Sequence, residues 1–138
     1  MAIYTKISRN DIISIEQKFN LGKIISFKGI KKGIENTNYI LKTKNNKYIL
    51  TIFGKRGQKK DIPFFMNLMS ELKKYNINCP LPQKSKKGNY LFYIKNKPGV
   101  IVSFVEGKDK TKLSIKNCYD IGKTIAQMHS VTKKNKNQ

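Results

Sequence analysis

The polar run Glu35-Asn36-Thr37-Asn38 is the stretch of this chain whose residue types could grip an anion. It opens a segment rich in β-branched and aromatic residues, and Gly29 and Gly33 bracket a short bend just ahead of it. A strand, a glycine-containing bend and a hairpin together let a sheet fold a loop over nucleotide phosphates, with backbone N–H groups turned toward the charge. Two glycines four apart also make an ordinary turn with solvent-facing polar side chains, so the residues alone leave both readings open.

Other reactive side chains are sparse. Cys79 and Cys118 lie 39 residues apart, with only His129 as a third ligand, which is not a metal-binding spacing. They read as unpaired thiols of a reducing cytoplasm. The formal charge of +21 points first to nucleic acid or an anionic membrane, but 27 of the 29 cationic residues are Lys and only Arg9 and Arg56 are Arg. Lys, Asn and Ile supply 60 of the 138 residues, so the charge reads as compositional bias on solvated faces rather than a built polyanion site. The N-terminus carries no apolar stretch of signal length and no segment approaches a membrane span, so a soluble, cytoplasmic protein with no membrane partner is expected.

The elements that must hold the 35–38 run follow from the apolar period. Ser8 to Phe19, with capping residues Ser8 and Asn10 and apolar Ile12, Ile13, Ile15 and Phe19, predicts a short amphipathic helix. Lys23–Phe27 predicts a strand, and Tyr39–Leu41 and Tyr48–Phe53 predict a hairpin turning at Asn45-Asn46, a dipeptide that tolerates positive φ. Asp61 as N-cap and Pro63 in the first turn open a second helix ending near Tyr75. Tyr90–Ile94 and Val100–Val105 predict a second hairpin across Lys95–Gly99, with Pro98 and Gly99 as its turn residues. Ser114 caps a last helix with Ile115, Cys118, Ile121, Ile125 and Met128 on one face, and a solvated tail begins at Thr132. The sum is an α+β domain: a five-stranded antiparallel sheet with one helix between its third and fourth strands.

This order of elements resembles the smaller lobe of the aminoglycoside-phosphotransferase-like kinases, a protein-kinase-like superfamily, and within it the bacterial homoserine kinase branch. The matching stretches are Ser26–Ile30, Gly33–Tyr39, Tyr48–Phe53, Asp61–Phe65, Cys79–Pro82, Val102–Gly107 and Ile121–His129, in family order over essentially residues 1 to 131. The resemblance implies ATP-dependent phosphorylation of L-homoserine, with Mg²⁺, on the way to threonine. It implies a nucleotide-binding lobe over residues 1–106. The connector and first helix of a larger C-terminal lobe would occupy 107–131, followed by a disordered basic tail over 132–138.

By the same resemblance Glu35, Asn36, Thr37 and Asn38 would form the loop over the phosphates, through backbone amides and short side chains. Ile34 and Ile49 would wall the adenine pocket, and Ser103, Phe104, Val105 and Glu106 would be the hinge whose backbone pairs with adenine. Thr51 stands where most of the superfamily has a strand Lys, a departure that looks typical of the homoserine kinase branch. It leaves Lys42, Lys55 and Arg56 as candidate cations for the phosphates. The helical carboxylate that would pair with such a Lys is missing, with Phe64 and Phe65 near its place. Glu71 and Asp61 read as solvated or capping.

Of the four aspartates, Asp11, Asp61, Asp109 and Asp120, none follows a His at the His-x-Asp spacing of a catalytic base, and His129 reads as packing at a helix end. The catalytic Asp and the Mg²⁺ ligands are therefore expected in a second lobe, the chain reads as a truncated nucleotide-binding portion inactive alone, and apolar surface left bare by that lobe would favour self-association. A nucleic-acid partner is disfavoured. The rival reading is a small basic RNA- or polyanion-binding module with Tyr39, Tyr48, Tyr90 and Phe92 as stacking platforms. A regulatory lobe without catalysis is a third.

Overall fold

A computed structural model describes residues 5–31, 35–54 and 60–134. The elements run α1 (Arg9–Lys18), β1 (Ser26–Ile30), β2 (Thr37–Lys42), β3 (Lys47–Ile52), α2 (Ile62–Lys74), β4 (Phe92–Ile94), β5 (Lys97–Ser103) and α3 (Ile115–Lys134). All five strands form one antiparallel sheet in the order β1-β2-β3-β5-β4. The α+β architecture expected from the sequence is present, with α2 between the third and fourth strands. The second hairpin joins through β5, so β3 is the central strand.

One face of the sheet carries the main core. Tyr39 and Leu41 of β2, Tyr48, Leu50 and Ile52 of β3, Ile101 of β5 and Phe92 and Ile94 of β4 pack with Ile12 and Ile15 of α1 and with Phe19, which caps its C-terminus. Strand alternation then turns Asn38, Ile40, Ile49, Thr51, Val100 and Val102 to the opposite face. There α2 covers only one side, where Ile62 and Met66 pack on Val100, Val102 and Phe53.

Helix α1 is held at its start by a reciprocal cap. The Ser8 N–H donates to Asp11 Oδ2 at 2.7 Å, and the Asp11 N–H returns to Ser8 Oγ. Burial pushes the Asp11 carboxyl up, but the amide and hydroxyl of Ser8 and the Lys95 ammonium outweigh it and hold the group below its ordinary value. A depressed pKa stabilises the fold above the unfolded-state value of about 3.9 and loses that contribution as pH falls below it. Asp11→Asn is thus expected to lose about 1 kcal/mol at neutral pH and to converge on the wild type as pH falls below about 4. Urea titrations across that range test this, and parallel stability curves would refute it.

Four local expectations are corrected. The first strand starts at Ser26 rather than Lys23, because both backbone groups of Ile24 are taken by α1: its N–H by Glu16 Oε1 at 2.6 Å, its carbonyl by Arg9 Nη1 at 2.7 Å. Gly29 accordingly lies inside β1, opposite Tyr39, and not at a bend. The first hairpin turns at Lys44-Asn45, with the Thr43 N–H bonded to Asn46 O at 2.9 Å and the Asn46 N–H to Thr43 Oγ1 at 3.0 Å. It needs no positive φ, which among described non-glycine residues falls only on Asn76, Lys95 and Asn96. The second hairpin turns on that Lys95-Asn96 pair, and Pro98 and Gly99 belong to β5.

Two helix ends also differ. Asp61 precedes α2 without making a side-chain cap bond. Helix α3 continues through Lys134, past the tail expected from Thr132, because Val131 is buried against Leu72 and Ile77 and the Thr132 hydroxyl donates to Met128 O at 3.0 Å. His129 is exposed on that helix rather than packed. Toward its start the helix is bare: Ile115 is 91% exposed and Tyr119 69%, with Ile121 and Ile125 near half. No helix among the described residues is long and apolar enough to cross a membrane.

Candidate functional site: the open face of the sheet

The face opposite α1 can be read row by row from the strand register. One row is Lys28, Ile40, Ile49 and Val102; the next is Ile30, Asn38, Thr51 and Val100. The floor is therefore apolar and β-branched, interrupted by Asn38 and Thr51 side by side. The Thr51 hydroxyl donates to Asn38 Oδ1 at 2.8 Å. Ile40, Ile49, Asn38 and Thr51 are all partly buried.

The 35–38 run lies at one end of this face and 103–106 at the other, because β2 and β5 both run antiparallel to β3. At the first end Glu35 is exposed and Asn36 Oδ1 accepts from the Gly54 N–H at 3.4 Å. Thr37 departs from its neighbours: it is buried, and its hydroxyl oxygen accepts from the Thr5 N–H at 3.0 Å on the α1 side. The hydroxyl expected to face the anion is thus directed away from the face that carries Asn38, as strand alternation requires. A concavity of about 440 Å³ opens here between Glu35, Asn36 and Phe53 and the start of α2. Its lining is apolar and acidic, with Asp61, Ile62, Phe65 and Met66. Ile34, Lys55 and Arg56 lie outside the described residues.

At the 103–106 end, residues 81–83 extend the sheet beyond β4, with the Gln83 N–H bonded to Ile101 O and the Ser103 N–H to Leu81 O, each at 2.8 Å. Ser103 Oγ also accepts from the Leu81 N–H at 2.8 Å. The Phe104 N–H donates to Lys47 O at 3.0 Å. Lys47 holds the segment twice more, by its ammonium 2.5 Å from Glu106 Oε1 and 5.3 Å from the centre of the Phe104 ring. With the amides of Ser103 and Phe104 engaged, Val105 is the next residue along the chain, and it is exposed. A polar concavity of about 360 Å³ is lined there by Asn45, Asn46, Lys47, Tyr48, Gln83, Ser103, Phe104 and Glu106.

Several of the residues singled out from the sequence therefore meet on one face: Asn38, Ile49 and Thr51 directly, with 35–36 and 103–106 at its two ends. Sequence reasoning passed over Ile30, Ile40, Val102, Lys47 and Gly54. Strand parity from Ile49 would have reached Ile40 and Val102; nothing short of the fold marks one Lys among 27. Lys42, a candidate cation for the phosphates, pairs with Lys47 in the row nearest residues 103–106. It lies four residues, or about 13 Å, from Asn38 along β2. The rings offered as RNA-stacking platforms do not form one: Tyr39, Tyr48 and Phe92 are core residues, and the Tyr90 hydroxyl is 2.9 Å from Ser70 Oγ. Both cysteines are free, and among the described residues no three His, Cys, Asp or Glu side chains cluster as a metal would need.

The sequence pattern of the Phosphotransferase enzyme family (APH) matches residues 26–138. The chain belongs to this family. Among curated APH-family relatives it is 37% identical over 129 residues to the homoserine kinase of Bradyrhizobium diazoefficiens, 38% to that of Rhizobium rhizogenes and 34% to that of Rhodopseudomonas palustris strain BisA53. Each match takes in 94% of this chain but only 39% or 40% of the relative, so the chain spans about two fifths of their length. Its fold is that of a spectinomycin phosphotransferase crystallised with ADP and spectinomycin, at a TM-score of 0.73 and 14% identity over 92% of this chain and 39% of that one. It also superposes on a microcompartment-associated aminopropanol kinase, at a TM-score of 0.64 and 15% identity over 86% of this chain and 40% of the other. The sheet with its intervening helix is thus the smaller, N-terminal lobe of a kinase-like fold.

Proposed function

We propose that this APH-family chain is the ATP-binding lobe of a homoserine kinase, the enzyme that transfers the γ-phosphate of ATP to the hydroxyl of L-homoserine. The observation that carries the reading is the identity of 34–38% to homoserine kinases over 94% of the chain. The sheet geometry supports it. A purine would lie over Ile40, Ile49 and Val102, pairing at the hinge with the Val105 N–H, and the phosphates would run toward Asn38, Asn36 and the amides of 35–38. Strand-end amides and neutral side chains can orient a phosphate chain, but they supply no proton acceptor for the homoserine hydroxyl. Mg²⁺ would supply charge neutralisation for the phosphates in such a reaction, and among the described residues no three His, Cys, Asp or Glu side chains cluster to hold it.

The reading sets two expected results for the purified chain. Titration with ATP, followed by amide chemical shifts, perturbs Ile40, Ile49, Val102 and Val105 with an affinity in the millimolar range or weaker. Shifts scattered over the lysine surface instead would mean generic polyanion attraction and would sink the assignment. Incubation with ATP, Mg²⁺ and homoserine forms no phosphohomoserine; product at an enzymic rate would show that the chemistry needs nothing beyond these residues. The bare face of α3, Ile115 to Ile125, suits an interface with further kinase polypeptide or a second copy.

A further inference from the structure

We infer that the carboxamide of Asn38, locked by Thr51, is a neutral phosphate-binding group that grips the first phosphate of the nucleotide. This rests on the nucleotide reading above and adds to it which phosphate Asn38 meets and the role of Thr51 in orienting it. The open face is built from Ile30, Ile40, Ile49, Val100 and Val102, and polar side chains set into such a surface cost free energy unless their hydrogen bonds are completed. Thr51 and Asn38 are directly opposed across β2 and β3, and the Thr51 hydroxyl gives its single proton to Asn38 Oδ1 at 2.8 Å. That bond fixes the amide plane and leaves Asn38 Nδ2, with two N–H donors, as the polar group offered to a ligand. Its chemistry is donor only, so it selects an acceptor oxygen.

The position narrows the choice of oxygen. Asn38 and Thr51 sit two residues, about 7 Å, beyond Ile40 and Ile49 along the strands, toward the 35–36 end of the face. A ribose makes a comparable step from a base lying on Ile40 and Ile49 to its first phosphate. Asn38 is then a binding residue and Thr51 a positioning residue that acts through it. A carboxamide donates without charge, so phosphate binding here is a matter of geometry rather than of Coulomb attraction.

Adenosine and AMP differ by the one group in question, and titration of the 138-residue chain with each, followed by amide shifts, gives the test. Asn38→Asp, which keeps the shape but replaces the donors with a carboxylate, is expected to weaken AMP at least tenfold and adenosine less than twofold. Asn38→Leu, which suits a strand and adds no charge, is expected to weaken AMP three- to tenfold, again sparing adenosine. Thr51→Val should weaken AMP about threefold, and Thr51→Ser should restore it. Equal losses for adenosine and AMP, or no loss of AMP in either Asn38 variant, would overturn the inference while leaving the nucleotide site standing. A wild type that binds neither ligand on this face would overturn both.

Discussion

Leu50→Ala is expected to remove about 2–5 kcal/mol of folding free energy, a large share of the roughly 5–15 kcal/mol that a domain of this size has. Leu50 is fully buried at the middle of β3, the strand that β2 and β5 flank on either side. Its neighbours in the core come from α1 as well as from the sheet, including Ile12, Ile15, Leu41 and Ile101, each with 0% or 1% exposure. Two covered sides leave little freedom to collapse, so the lost methyl groups leave a cavity as well as a transfer penalty. Urea unfolding followed by circular dichroism should show a lower midpoint with an unchanged slope. Ile25→Ala, at a side chain 64% exposed, serves as control and should stay within about 0.5 kcal/mol. A Leu50→Ala loss no greater than that of the control would mean that the α1 face is not the main core. The consequence reaches the open face, because the same strand carries Ile49 and Thr51 on its other side.

Gly54→Ala should be the most damaging change among small surface substitutions. A Cβ at position 54 would stand 2.7 Å from the carbonyl oxygen of Glu35, closer than real contacts allow, and that oxygen is backbone and cannot swing aside. Replacing glycine commonly stabilises by about 0.4–1 kcal/mol through the unfolded chain, but here the native conformation must move to accept the methyl group. An overall loss of about 1–3 kcal/mol is expected. The Gly54 N–H also donates to Asn36 Oδ1, so the displacement carries into the 35–38 run. Amide spectra should show changes centred on residues 35 to 38, and urea unfolding should show the loss. A variant as stable as the wild type, with an unmoved spectrum, would refute the close approach. In the proposed kinase lobe this change should also lower ATP affinity, since the same run would face the phosphates.

The pairing of most acidic groups with cations bears on how the +21 charge is tolerated. Lys47–Glu106, Lys74–Glu71, Lys116–Asp120, Arg9–Glu16 and Lys95–Asp11 each join a cation to one of only eight carboxylates. Most are exposed and worth little to stability, so they hold segments in place more than they hold the fold together. In the proposed kinase lobe the Lys47 pair would fix the strand end at which adenine would bind.

What the sequence determined by itself was the set of elements and the family. Alternating apolar residues in β2 and β3, the stripe of α1 and the Pro63 start of α2 are local signals, because the side-chain period of a strand or helix is set by its backbone alone. The order of those elements with their motifs then reached the APH family from residues that are individually weak. Tertiary structure decided the register and the facing. A turn at Asn45-Asn46 would have set Ile40 opposite Thr51; the turn at Lys44-Asn45 sets Asn38 there and so creates the hydrogen-bonded pair on the open face. The same parity sends the Thr37 hydroxyl to the α1 side, and long-range bonds from Arg9 and Glu16 hold Ile24 out of the first strand. Such choices depend on partners 8 to 32 residues away, which no local period encodes.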